Sequence, residues 1–321
     1  MYKISIQTTN FLNDREGYDE KFQILKNAGF DAIDYNINAN ISIHEFLSSH
    51  SCPFFDMDED QIIAHLTPFK ASALKNGLFF GQMHAPYPPY IIGNDKVNRY
   101  IFETFKKSIR AAAFLECPYI VIHPINVAYS LGAEREHQLN MEMFTSLIPY
   151  AKEYGVTVCL ENMFQTTKGH LYEAVCADFN EAAKYVDDLN EIAGKELFGF
   201  CFDLGHANIL GKNIRRSLDI LGSRVKALHI HDNNTNEDLH LMPFTFAVNW
   251  GTELTTDWTG FINGLADIDY KGTISFETHQ AYHVFPKQVH PQMLSLMAAI
   301  GRYFSDEIIK EKQRRQSAPQ S

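Results

Sequence analysis

The chain has 321 residues, 45% hydrophobic and 21% charged, with a formal charge of −11 from 28 Lys plus Arg against 39 Asp plus Glu. That composition fits an ordinary globular protein with a sizeable core, and its negative field disfavours nucleic acid as a partner, unless bound divalent metals reverse the field locally. No run of about 18 apolar residues marks a membrane span, so a membrane partner is excluded from the expectation.

Short apolar runs at 3–7, 32–35, 78–83, 119–123, 156–160, 197–202, 225–230 and 273–276 predict strands. The segments between them carry helical periodicity. "YDEKFQILKNAGF" stops at Gly29, "NRYIFETFKKSIRAAAFLEC" runs to just before Pro118, and "EREHQLNMEMFTSLIPYAKEYG" stops at Gly155. Strands alternating with helices predict a parallel sheet, and eight such units predict one closed (β/α)8 barrel. No linker or low-complexity tract divides the chain, so a single barrel domain is expected over residues 1–305. The basic end, residues 306–321 with "KEKQRRQ", reads as a poorly ordered tail. Residues 38–58, 86–94 and 232–256 resist assignment; each follows a predicted strand, where long loops usually carry function.

Five scattered cysteines (Cys52, Cys117, Cys159, Cys176 and Cys201) form no C-x-x-C pair, and the start "MYKISIQTTN" lacks a basic region followed by an apolar one. A cytoplasmic protein in a reducing compartment is expected, and a homo-oligomer is compatible with the sequence.

The ionisable residues fall at the strand ends. His84 follows the third predicted strand, His123 closes the fourth, Glu161 follows the fifth, Asp203 and His206 follow the sixth, His229 closes the seventh and Glu277 follows the eighth. Barrel enzymes place their reacting groups at this rim. In the seventh strand a period of two puts Ala227, His229 and His231 on one face. Any one of these residues alone reads as a packed or surface side chain. Six strand ends converging on one volume would instead bury mutually repelling carboxylates unless a cation neutralised them. Mixed imidazole and carboxylate donors suit Zn, Mn or Co better than Ca or Mg. No organic cofactor is expected.

The motifs "MHAPY", "VIHP", "LENM", "FDLGHAN", "LHIHD", "EDLHLMPF", "TDW" and "ISFET" resemble, in order and spacing, those of the xylose-isomerase-like TIM barrels. That superfamily holds sugar isomerases and epimerases, inosose dehydratases and zinc-dependent abasic-site nucleases of the endonuclease IV type. The resemblance covers roughly residues 1–305. It implies Glu161, Asp203, His229 and Glu277 as ligands of a central metal, with Glu161 and Glu277 moving protons on opposite faces of a sugar. The nuclease pattern adds metal ligands His84 and His123, sharing Glu161, and a further set of His206, Asp238 and His240; in the ketose epimerases the residue matching His206 binds substrate, so these five are open between additional metal and substrate. His231 is open between a supporting or substrate contact and plain packing, and Asp232 is a candidate to orient a ligand imidazole.

Departures from the family narrow the reading. Thr235 stands where tagatose-type epimerases carry a substrate Arg. An extended "FAVNWGTELT" precedes Asp257 and Trp258, and within it Trp250 either caps a small pocket by stacking on a sugar or packs. Residues 36–60 and 232–256 contain no Lys or Arg to meet a DNA backbone. The resemblance and the charge together imply a divalent-metal-dependent isomerase or epimerase acting on a small keto sugar, polyol or sugar phosphate through an enediolate. The alternative is a multi-zinc phosphoesterase of the endonuclease IV type.

Overall fold

The structure, a computed structural model, describes residues 1–40, 51–251 and 253–317. Eight parallel strands form the barrel wall: β1 Ile4–Gln7, β2 Ala32–Asn36, β3 Phe79–His84, β4 Tyr119–Val121, β5 Thr157–Glu161, β6 Phe198–Asp203, β7 Val225–His229 and β8 Ile274–Phe276. Each pairs with its neighbour in chain order, and β8 pairs with β1. Closure between β7 and β8 comes from Ile230, whose N–H donates to Ser275 O at 3.0 Å and whose carbonyl accepts from Glu277 N at 3.0 Å. The chain is a (β/α)8 TIM barrel.

Alternation along the strands sorts the side chains into two cores. Phe198, Phe200 and Phe202 of β6, with Val158 and Leu160 of β5, face the surrounding helices and belong to the main apolar cluster. The residues between them point inward, where Val121, Cys159, Cys201 and Ala227 make a small apolar plug. All five cysteines are buried.

The main helices of the outer layer are α1 Tyr18–Ala28, α2 Glu59–Lys75, α3 Asp95–Phe114, α4 Ala133–Tyr154, α5 Phe179–Ala193, α6 Ile214–Leu221, α7 Trp258–Asp267 and α8 His290–Ser317. Their ends follow from local chemistry. Asp58 and Gln61 form a reciprocal capping box at α2, while Asn94, Asp178 and Asn213 cap α3, α5 and α6. Gly29 and Gly155 end α1 and α4 in the left-handed conformation, at φ 106° and 67°, as their positions predict.

Two expectations change. Helix α8 runs through residues 306–317, which the sequence assigns to a poorly ordered tail. Ile308 is fully buried, Lys312 donates to Asp269 Oδ1 at 2.8 Å and to Tyr270 O at 3.2 Å, and Arg315 pairs with Asp267. The basic residues are therefore the outer face of a docked helix rather than a loose end. In the loop after β5, residues Phe164–Thr167 and His170–Glu173 form an antiparallel hairpin that the apolar pattern does not announce. No helix among the described residues is long and apolar enough to cross a membrane.

Candidate metal centre at the barrel rim

The strand ends deliver the site. Glu161 and Asp203 are the last residues of β5 and β6, His229 is the last of β7, and Glu277 follows β8. All four are buried, and one donor atom from each lies within 4.8 Å of the others. His229 Nδ1 is 3.0 Å from Glu161 Oε1 and 3.2 Å from Glu277 Oε2, while Asp203 Oδ2 lies 3.9 Å away. Backbone geometry fixes Asp203: its N–H and C=O are both held by the Asn162 side chain, at 2.9 and 2.8 Å. Its carboxylate also caps the short helix Leu204–Ile209, accepting from His206 N at 2.6 Å.

Two further clusters flank this centre. His84 Nε2 and His123 Nε2 are 3.0 Å apart, and both face Glu161 Oε2, at 3.7 and 3.1 Å. On the other side, Asp238 Oδ2 lies 2.8 Å from His240 Nε2 and 3.4 Å from His206 Nε2. His231 Nε2 reaches Asp238 Oδ1 at 3.6 Å and Asp203 Oδ1 at 3.2 Å. His240 takes a φ of 44°, which non-glycine residues rarely adopt, and stacks on His231 with ring centroids 4.1 Å apart.

Hydrogen bonding settles which nitrogens face inward. His84, His206 and His240 each direct Nδ1 at a backbone carbonyl, of Ala85, Asn162 and Glu277, at 2.8, 2.8 and 3.0 Å. A carbonyl only accepts, so each Nδ1 carries a proton and each neutral ring aims its Nε2 lone pair into the clusters. Lone pairs then meet carboxylate oxygens, which repel unless a proton or a metal lies between. The buried oxygens Asp203 Oδ2 and Asp238 Oδ1 find no hydrogen-bond partner among the described residues. The donor set therefore fits divalent metal.

Burial pushes the Glu161 and Asp238 carboxyls up, but the surrounding histidines outweigh it and hold both well below the usual carboxylate range. Burial likewise pulls His240 down, and Asp238 more than reverses this, placing it at about 9. Among the described residues His123 and His279 titrate low, both chiefly through burial.

Several supporting residues have no counterpart in the sequence reading. Asp34, fully buried in β2, places Oδ2 3.4 Å from His229 Nε2 and accepts from Gln82 Nε2 at 2.8 Å. Gln7 donates to Glu277 Oε1 at 2.5 Å. His279 packs at a tilt against His240 with ring centroids 4.1 Å apart. A charged residue inside the apolar run 32–35 is the one signal that could have flagged Asp34.

Asp232 corrects the sequence reading. Its oxygens accept from Asn233 N, Thr245 N, Phe246 N and Thr256 Oγ1, at 3.0, 2.9, 3.2 and 2.6 Å, so it ties down the loop after β7 and is not placed to orient a ligand imidazole. Phe244 packs against Trp258 and Phe304 of the outer layer. The Trp250 side chain lies outside the described residues.

With this geometry in place, comparison with known proteins gives the class. Residues 22–300 match the family model described as "Xylose isomerase-like TIM barrel", and the chain belongs to that family. Among relatives, an inosose isomerase of Bacillus velezensis is 24% identical over 262 residues, covering 80% of this chain and 82% of its own. An uncharacterized protein of Methanocaldococcus jannaschii, MJ1311, is 27% identical over 203 residues, 61% of this chain and 63% of that protein's length. Solved structures share the fold. An L-ribulose 3-epimerase superposes with a TM-score of 0.67 at 15% identity over the whole of both chains. The IolI protein with a bound zinc atom gives 0.66 at 17% identity, over 96% of this chain and 99% of its own.

Proposed function

We propose that the chain is a divalent-metal-dependent isomerase or epimerase of a small keto sugar or polyol. The observation that carries this reading is the meeting of two buried glutamates at one imidazole nitrogen. Glu161 Oε1 and Glu277 Oε2 approach His229 Nδ1 from β5 and from the end of β8, at 3.0 and 3.2 Å. Two carboxylates facing one volume from the C-terminal ends of two different strands suit removal of a carbon-bound proton by one and return by the other. Gln7 occupies Glu277 Oε1 and leaves Oε2 facing the site.

Glu161, Asp203, His229 and Glu277 would hold the metal, which supplies charge stabilisation to adjacent carbonyl and hydroxyl oxygens. The residues of the chain do the rest. Asn162 and the short helix Leu204–Ile209 fix Asp203, Asp34 lies 3.4 Å from His229 Nε2, and burial keeps bulk water from the two glutamates. The inosose isomerase among the relatives supports a polyol-derived substrate.

Phosphoester hydrolysis on several metals is the second reading, supported by the two flanking clusters. The net charge of −11 and the absence of Lys and Arg from 36–60 and 232–256 weigh against a DNA backbone. The test is turnover by protein reloaded separately with Zn, Mn or Co, using an inosose, D-fructose and D-tagatose, with an abasic oligonucleotide in the same buffer. Conversion of a sugar with the oligonucleotide intact is expected. Nicking lost on His84→Ala, with no sugar converted, would overturn the reading.

A further inference from the structure

We propose that Tyr87 and Phe164 form an aromatic clamp beside Glu161 that takes the C–H face of a carbocyclic polyol, so that the substrate is a ring rather than an open-chain ketose. This deepens the isomerase or epimerase reading and rests on it.

Burial singles out Tyr87. Residues 80–86 and 88–89 are buried, and Tyr87 between them is 46% exposed. Its backbone is anchored: the N–H donates to Asn38 Oδ1 at 3.0 Å, and Pro86, Pro88 and Pro89 around it are buried. A stiff turn thus holds one large ring out at the rim. Phe164 opens the hairpin after β5, where it pairs with Glu173, and the next residue pins that hairpin to the loop after β4, Gln165 Nε2 donating to Val127 O at 2.9 Å. Both rings are placed before any ligand arrives, which lowers the entropy lost on binding.

The two rings meet the site at matched points. Tyr87 lies edge-on to His123 with ring centroids 5.6 Å apart, and Phe164 edge-on to His206 at 5.0 Å. In each pair the imidazole is the more buried partner, so the aromatic ring stands on the solvent side. Those imidazoles approach opposite oxygens of one carboxylate: His123 Nε2 is 3.1 Å from Glu161 Oε2, and His206 Nδ1 is 3.8 Å from Glu161 Oε1. A ligand carbon brought from the mouth to Glu161 therefore lies beside both rings. A solitary exposed aromatic residue is ordinary; a pair flanking the proposed proton carrier is not.

Chemistry then selects the ligand. The face of an aromatic ring is negative and attracts C–H hydrogens. A carbocyclic polyol with equatorial hydroxyls carries C–H bonds on both faces and its hydroxyls around the edge. An open-chain ketose has no such face, and holding it in one shape costs the freedom of its rotatable bonds. Enediolate chemistry needs a free carbonyl, which a ketohexose offers only in its open form, whereas a carbocyclic ketone keeps its carbonyl in the ring.

Two polyols without a carbonyl separate shape from turnover: myo-inositol, a ring, and D-sorbitol, an open chain with the same number of carbons and hydroxyls. Their Kd values for the metal-loaded full chain are measured by ligand-observed NMR, as wild type, Tyr87→Leu, Tyr87→Phe, Phe164→Leu and Phe164→Tyr, with the metal content of each determined. Wild type should prefer the ring by about tenfold, the worth of one well-placed aromatic contact. Each Leu variant should lose most of that preference at unchanged metal content, while the Phe and Tyr variants keep it. Equal affinity of wild type for the two polyols, or binding of neither, overturns the proposal whether or not any variant folds. Preference retained in both Leu variants overturns it as well, and so does metal lost from them, which would make each ring a support of its histidine. Conversion of D-fructose or D-tagatose with no conversion of the inosose refutes the clamp but leaves the proposed function standing. Nicking of the abasic oligonucleotide, with neither polyol bound and no sugar converted, removes both.

Discussion

Asp34→Asn isolates the support of the central site from its ligands. Asp34 touches no other member of the ligand set, yet its Oδ2 lies 3.4 Å from His229 Nε2 and also accepts from Gln82 Nε2 at 2.8 Å and Ser275 Oγ at 3.3 Å. His229 presents Nδ1 to the two glutamates, so when that nitrogen ligates a metal the outer nitrogen, Nε2, carries the proton and faces the Asp34 carboxylate. Asparagine has nearly the same volume, so the barrel interior stays packed. Its single amide oxygen is neutral, and the bond from Gln82 competes for it. Carboxylates that support a ligand histidine in this way are worth roughly 10–100-fold in metal affinity, or about 1.4–2.8 kcal/mol. The assay is zinc affinity of the stripped protein by chelator competition, with a thermal melt of the metal-free form as control. The melt should be unchanged or raised, because a buried charge has been removed. A zinc Kd within about threefold of wild type, for a site known to be loaded, would refute the reasoning.

The other predictions concern turnover, metal and the C-terminal helix. Glu277→Gln should abolish turnover while the fold survives, since the amide oxygen can still accept from Gln7 but cannot take a proton at neutral pH; near-wild-type rates would remove Glu277 from acid–base chemistry. Chelation of the loaded protein should cost about 2.7 kcal/mol if metal was held at 100 times its Kd, lowering Tm by several degrees, and calorimetry with and without chelator would read it. Truncation after residue 305 removes the fully buried Ile308 and the Lys312 contacts, and should destabilise by about 2–4 kcal/mol; an unchanged melting temperature would show the segment to be a dispensable tail.

Particular residues explain what was legible in the sequence. The barrel is readable because each strand is a short apolar run ahead of an amphipathic helix, and because Gly29 and Gly155 mark helix ends that only local backbone chemistry controls. The rim residues are readable because strand ends expose them: His84, His123, Glu161, Asp203, His206, His229 and Glu277 converge as their positions imply. Asp238 and His240 are less accessible to such reasoning, since they reach the site only through a loop whose path depends on the four hydrogen bonds of Asp232. Asp34, Gln7 and Gln82 were not legible, because a polar side chain inside a strand does not declare which partner across the barrel it meets. The end of α8 was misread for a similar reason: the i,i+4 pair of Glu311 with Arg315 and the burial of Ile308 require knowing that a helix face docks there.

Proton transfer at carbon is the core of the proposed function, and isotope incorporation measures it most directly. Metal-loaded protein is incubated in deuterated water with the inosose and ketohexose panel, and conversion and label are scored separately by NMR. The proton returned comes from the second carboxyl, which equilibrates with solvent between turnovers, so deuterium should appear on the carbon next to the carbonyl in the converted sugar. Conversion without label would contradict carboxylate proton transfer by Glu161 and Glu277, and no conversion of any sugar, with the abasic oligonucleotide nicked instead, would contradict the isomerase reading altogether.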